Sequence, residues 1–186
     1  MRVISGSLKG KNIEIKKKVN FRPTLSRIRE DIFNIIMHNP SINKLPKDSV
    51  FADIYCGSGS IGIEALSRGF KHCHFNDIDN EQIHIISAFL NKNKDLSYDF
   101  SNADLINSTN EIPWNNFDII YYDPPYEMKL ETIILNHIDK IKDNAIIISE
   151  TNYKIFKEVD SIHLKSYKNK SIGFYESINL KKFLSV

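Results

Sequence analysis

From Val50 onward, short apolar runs alternate with stretches whose apolar residues recur at helical spacing. "VFADIY", "HCHFND", "YDFSN", "FDIIYYD" and "NAIIISE" read as strands, and "SIGIEALSRG", "NEQIHIISAFLNKNK" and "KLETIILNHIDKI" read as helices. Apolar strands that alternate with helices pair in parallel, so the order specifies an α/β domain with a doubly wound, mostly parallel sheet. "SIHLKSYKN" and "SIGFYESINL" have strand character with no long helix between them, and read as a C-terminal antiparallel hairpin closing the sheet's edge, which makes seven strands. Ahead of Val50, "RVISGSLKGKNIEI" reads as an N-terminal β-hairpin. A helix from Leu25 to His38 follows it, with apolar Ile28, Ile32, Ile35 and Ile36 on one stripe. The expected organisation is an extension over 1–48 and an α/β domain over 49–186, with no internal repeat.

The first strand of that domain runs into "DIYCGSGSIG", which sets Gly57, Gly59 and Gly62 in a GxGxxG spacing before a helix. The glycines let the backbone approach a ligand, and the helix start offers unpaired N–H groups. Asp77 ends the next strand twenty residues after Gly57, where a carboxylate accepts hydrogen bonds from ribose hydroxyls. Dinucleotide-binding domains share all of this. The difference is Asp53, four residues before the first glycine. A carboxylate beside the loop repels a pyrophosphate and attracts an ammonium or sulfonium group, as in S-adenosylmethionine.

"YYDPPY" places Asp123, Pro124, Pro125 and Tyr126 at the end of the fourth strand, the edge where open α/β sheets bind ligands. Each proline fixes its own φ and biases the residue before it to an extended conformation, which holds the Asp123 side chain and the Pro124 carbonyl in one geometry. Two such acceptors match the two N–H bonds of an exocyclic amino group, and Tyr126 can stack on the base that carries it. The lone pair of that amine is delocalised into its ring. Acceptors on its hydrogens align it for attack and favour the positive charge that grows on nitrogen, and the excess proton leaves through Asp123 or water.

The net charge of +2 conceals an asymmetry. Residues 1–48 carry 11 Lys and Arg against 4 Asp and Glu, residues 49–150 carry 7 against 16, and residues 151–186 carry 7 against 3. Basic ends around an acidic middle fit a polyanion gripped from the periphery, although a solvated lysine-rich surface gives the same skew. The two cysteines, Cys56 and Cys73, form neither a disulfide framework nor a zinc spacing, so a reducing cytoplasm is expected. No apolar run approaches a membrane span, and "MRVISGSLKG" has no signal-peptide core.

Taken in order, the glycine loop, ribose acid and "DPPY" resemble the class I S-adenosylmethionine-dependent methyltransferases, of Rossmann-like fold, that act on exocyclic amino groups. More specifically, "RVISGSLKGKNI", "FRPTLSRIREDIFNII", "DIYCGSGSIGIEALSRG" and "YYDPPY" resemble the RsmD family, which methylates guanine N2 in bacterial 16S ribosomal RNA. The N-terminal block is the least generic part, since DNA adenine methyltransferases share "DPPY" without it. The resemblance implies that Asp53, Gly57, Gly59 and Asp77 hold the cofactor, with adenine contacted in "SNAD" by Asn102 and Ala103; Asp104 is the alternative to Asn102 for the adenine amino group. Asp123, Pro124 and Tyr126 fall in the catalytic positions. Arg22, Thr24 and Arg27 would lie over the cofactor or target base, and Lys9, Lys11 and 16–18 would meet RNA phosphates.

A metal site at His72, Cys73 and His74 is not expected, because strand alternation sends Cys73 to the opposite face. His38 and His137 are expected on helix surfaces, and Cys56 as packing in the loop. The leading function is S-adenosylmethionine-dependent methylation of guanine N2 in 16S rRNA, by a monomer acting on an assembled small-subunit particle. The alternatives are an adenine-N6 DNA or RNA methyltransferase and an inactive nucleic-acid-binding protein with this fold.

Overall fold

In a computed structural model the described residues are 1–13, 26–93, 95–107, 112–125, 127–151, 156, 158–168 and 170–184. The expected "RPT" residues Arg22 and Thr24, Lys16 to Lys18, and Tyr126 lie outside them. The chain forms two compact units, Met1–Asn102 and Ala103–Val186. Seven strands make one sheet in the order β3-β2-β1-β4-β5-β7-β6, as the alternating pattern predicts. No helix among the described residues is long and apolar enough to cross a membrane.

In the first unit, β1 (Val50–Ile54), β2 (His72–Asn76) and β3 (Tyr98–Ser101) pair in parallel, with Asp53 opposite Phe75 and Asn76 opposite Ser101. Helix α2 (Ser60–Ser67) connects β1 to β2 and is buried along its whole length; α3 (Asn80–Asn91), capped by the Asp79 side chain on the Glu81 N–H, connects β2 to β3. Helix α1 (Ser26–His38) buries Ile28, Ile32, Phe33 and Ile36, while Ile35 is half-buried. Phe33 packs with Phe51 and Phe70 at ring-centroid distances of 6.1 and 6.4 Å.

The expected N-terminal hairpin is seen over the described residues 1–13 as a short antiparallel pairing. An Arg2–Asn12 bridge is flanked by bonds from the Val3 N–H to the Lys11 carbonyl (3.0 Å) and from the Ile13 N–H to the Met1 carbonyl (2.6 Å), around a turn through Gly6 and Gly10. Helix α2 holds the turn. The buried Glu64 carboxylate accepts the N–H groups of Ile4 (2.9 Å) and Ser5 (3.0 Å), and Ser67 Oγ accepts that of Leu8 (2.9 Å). Donors within the turn are thus taken by helix side chains. Gly6, at φ +80°, passes so close that a Cβ there would sit 1.7 Å from the Ser67 carbonyl oxygen.

In the second unit, β4 (Ile119–Tyr122) pairs in parallel with β5 (Ile146–Thr151), and both are fully buried. Strand β7 (Ser171–Glu176) runs antiparallel between β5 and β6 (His163–Ser166), the expected hairpin. On β6 exposure alternates, with Leu164 and Ser166 exposed and His163 and Lys165 half-buried. Two expectations fail here. The helix expected over 129–141 stops early: α4 is Leu130–Leu135, and His137 leaves helical geometry with φ −150° so that its ring enters the core. "SINL" is not strand but the start of α5 (Ser177–Leu184), because the N–H groups of Ser177 and Ile178 turn onto the carbonyls of Ala145 and Asp143.

Glu64 also faces two guanidinium groups, with Arg68 Nε at 2.8 Å and the fully buried Arg29 Nε at 3.6 Å. Arg29 is anchored further by the Arg2 carbonyl (2.7 Å), and burial pushes its guanidinium pKa down against the pull of Glu64. Glu64→Ala would strand two backbone donors and a buried cation. It is expected to cost about 3–5 kcal/mol in urea unfolding, compared with under ~1 kcal/mol for an exposed control such as Glu30→Ala.

Candidate functional site

The glycine loop is held from below and from one side. Asp53, only 1% exposed, accepts the Gly62 N–H at 2.8 Å and so caps the start of α2 from under the loop. Its charge therefore acts through the loop rather than from its rim. From the side, the Cys56 N–H donates to the Asn76 carbonyl (2.9 Å) and the Gly57 N–H to Asp77 Oδ2 (2.7 Å). Asp77 Oδ1 accepts the Asp79 N–H at 2.9 Å. The two residues predicted for loop and ribose acid are thus bonded directly to each other.

Two of the glycines are needed for different reasons. Gly59 has φ +68°, and a Cβ on it would come within 2.7 Å of Ile86. At Gly62 a Cβ would strike the Phe75 ring at 2.2 Å, so this glycine lets α2 lie close on β2. Tyr55 also adopts φ +61°, a conformation with no signature in the residue type. The Cys56 thiol is pushed well up, by burial first and then by Asp53 and Asp77, so it stays protonated and packs rather than reacts.

Asn102 joins this group. Its side-chain N–H donates to the Asp77 carbonyl oxygen at 2.6 Å, which links the ends of β2 and β3. Below that link a polar ladder climbs the two strands, with His74 and Asn76 buried and Asp99 exposed. His74 meets Asp99 at 2.8 Å and Ser101 Oγ at 3.0 Å, and Ser101 donates to Asn76 Oδ1 at 2.6 Å. His72 meets the same Asp99 carboxylate, whereas Cys73 Sγ lies toward Gly62, so the alternation argument against a His-Cys-His metal site matches the geometry. Asn76 and Ser101 directly precede Asp77 and Asn102, so the ladder sets the strand ends that carry them. Sequence reasoning missed this role, though the matched polar alternation on β2 and β3 was there to be read. It also missed Ile78, an apolar side chain 65% exposed beside Asp77.

In the second unit, Ala103 is buried, and Asp104 closes an Asx turn by accepting the Ile106 N–H (3.0 Å) and the Asn107 side chain (2.7 Å), which holds its carboxyl below the usual range. Asp123 follows β4 directly and is half-buried. Pro124 is buried, and the Pro125 carbonyl accepts the Met128 N–H at 2.9 Å. Lys9 and Lys11, in the first unit, are exposed, as is Arg27 on α1, whereas Arg29 two residues on is buried against Glu64.

His137 is not on a helix surface. Its ring stacks on Trp114 with centroids 3.8 Å apart and planes 12° apart, and its Nε2 pairs with the Tyr122 hydroxyl at 2.7 Å. Tyr122 immediately precedes Asp123, so this stack sets the root of the proline segment. Burial first, then Lys140, push the His137 pKa down from 6.5 to about 3. The unfolded chain therefore takes up a proton that the fold refuses. Stability from this group is complete above pH 6.5 and falls as pH drops toward 3, by up to about 1.4 kcal/mol per unit. In urea unfolding between pH 7 and 4.5, His137→Gln is expected to show a shallower decline than the parent; parallel curves would contradict this assignment.

The chain is similar to known proteins over most of its length. The chain is 33% identical over 162 residues to ribosomal RNA small subunit methyltransferase D of Buchnera aphidicola (subsp. Acyrthosiphon pisum), covering 82% of this chain and 78% of that one. It is 31% identical to the protein of the same name from Haemophilus influenzae, covering 81% and 78%. An RNA methyltransferase from Salinibacter ruber, solved with S-adenosyl-L-homocysteine, shares the fold with a TM-score of 0.59 over 83% of this chain and 93% of that one, at 15% identity. The family model described as Conserved hypothetical protein 95 matches residues 1–178, and the chain belongs to that family, the RsmD family.

Proposed function

We propose that this chain methylates the exocyclic N2 amino group of a guanine in bacterial 16S ribosomal RNA, using S-adenosylmethionine and acting in the cytoplasm on an assembled small-subunit particle. The observation that carries the reading is the Asp123-Pro124-Pro125 segment rooted on a fully buried parallel strand. The names of the relatives, ribosomal RNA small subunit methyltransferase D, support it.

The residues present fit the cofactor. S-adenosylmethionine supplies a methyl group activated on a positively charged sulfur. A carboxylate accepts up to about four hydrogen bonds, so the two backbone bonds of Asp77 are compatible with ribose hydroxyls as further donors. Ile78 offers an apolar surface to adenine, Asn102 an amide to its edge, and Ala103 its backbone. Gly57 and Gly59 form the loop, and Asp53 fixes it and would supply a negative charge that favours a sulfonium group.

For the acceptor, Asp123 and the Pro124 carbonyl take the two N–H bonds of the amine and orient its lone pair, with Tyr126 stacked on the base. The Asp123 carboxylate stabilises the positive charge that develops on nitrogen, and the excess proton leaves through it or through water. Lys9, Lys11 and Arg27 are exposed, and together with Arg22 and Thr24 would hold the RNA backbone and target base.

The test is methyl transfer to unmodified small-subunit particles, naked 16S rRNA and duplex DNA, with digestion to nucleosides. N2-methylguanosine from the particle is expected, with Asp123→Ala lowering kcat by about 100- to 1,000-fold. N6-methyladenine, or equal transfer to naked RNA, would refute the corresponding part of the proposal. In the same assay Asp77→Ala is expected to raise the KM for S-adenosylmethionine by about tenfold or more with kcat largely kept, as loss of one charged hydrogen-bonding partner implies.

A further inference from the structure

The first unit contains a groove of which the proposed site uses only Lys11. It has a volume of roughly 650 Å³ and runs along the outer side of α3 beside the N-terminal turn. It is lined by half-buried Ile85 and Phe89, by exposed Lys11, Asn12 and Lys92, and by Asn93, whose side-chain N–H donates to the Phe89 carbonyl (2.7 Å). The Lys11 ammonium donates to Asn93 Oδ1, so the turn and the end of the helix are tied across it. Lys9 and Arg2, both exposed, extend the positive charge along the same turn.

We propose that this groove is a second RNA site, one that takes an unpaired nucleotide of the substrate away from the methylated base; the inference rests on RNA being the substrate. An aromatic and aliphatic wall accepts a base face, the Asn12 amide can bond a base edge, and the lysines beside it pair with flanking phosphates. Its volume is that of a small-molecule pocket and so holds one nucleotide rather than a duplex. Charge decides the occupant and its direction. The one acid in the lining, Glu81, lies eleven residues from Lys92 along α3, about 16 Å, so the phosphates belong at the Lys92 and Lys11 end. At this end the exposed Lys9 and Arg2 of the N-terminal turn add further positive charge for the RNA backbone.

The experiment compares the full-length chain with Phe89→Ser and Lys92→Ala in methyl transfer to the particle, with far-UV circular dichroism to confirm folding. Loss of one stacked base should raise the KM for the particle about 5- to 50-fold in Phe89→Ser while the KM for S-adenosylmethionine stays within twofold. Lys92→Ala should lower the slope of log affinity against log salt by about one. As an independent readout, a benzophenone amino acid in place of Phe89 should crosslink to RNA in the particle. Unchanged particle KM in both variants, or crosslinking only to protein, would overturn the groove while leaving the proposed function standing. No transfer to RNA by the parent chain would overturn both.

Discussion

One buried carboxylate organises the first unit. Glu64 sits on the helix that begins at the glycine loop, and its two oxygens reach the N-terminal turn, Arg68 and, through a longer contact, Arg29 of α1. An unpaired charge at that depth would be untenable, so each of these segments is needed for the others to be tolerated. Position of the loop therefore depends on residues at the start of the chain. This explains in physical terms why the N-terminal block travels with the glycine loop in the resemblance: Gly6 must pass against Ser67, and Ile4 and Ser5 must offer their N–H groups to Glu64.

Acidic residues in the middle of the chain do three separate kinds of work, and only burial tells them apart. Asp53 and Glu64 are enclosed and hold backbone, Asp77 is half-exposed at the loop, and Glu150 is enclosed with Tyr121 and Lys170 in the second unit. The charge count over 49–150 thus overstates how acidic the surface is. The steering argument drawn from the asymmetry rests on the exposed lysines at the ends more than on the acids between them.

Periodicity made the order of strands and helices legible, because seven apolar runs at regular intervals admit few arrangements. The glycine loop and its acid were legible because φ, close approach and hydrogen-bond capacity map onto residue type. What escaped was decided at a distance in sequence. The turn of the N-terminal hairpin is held by a carboxylate about sixty residues away, which claims the donors of Ile4 and Ser5. His137 looked like a surface residue of a continuous helix, yet a ring stack on Trp114, twenty-three residues earlier, outweighed helix continuation. The start of α5 was misread because the turn at Glu176 is made by carbonyls of 143 and 145. Local pattern names an element; partners elsewhere in the chain set where it ends.

The stack of Trp114 on His137 has an optical consequence. This is the chain's single tryptophan, it is 1% exposed, and it belongs to the second unit. Intrinsic indole emission therefore reports on the second unit: it registers the root of the proline segment and the imidazole lying against it. The glycine loop, in the first unit, has no indole of its own.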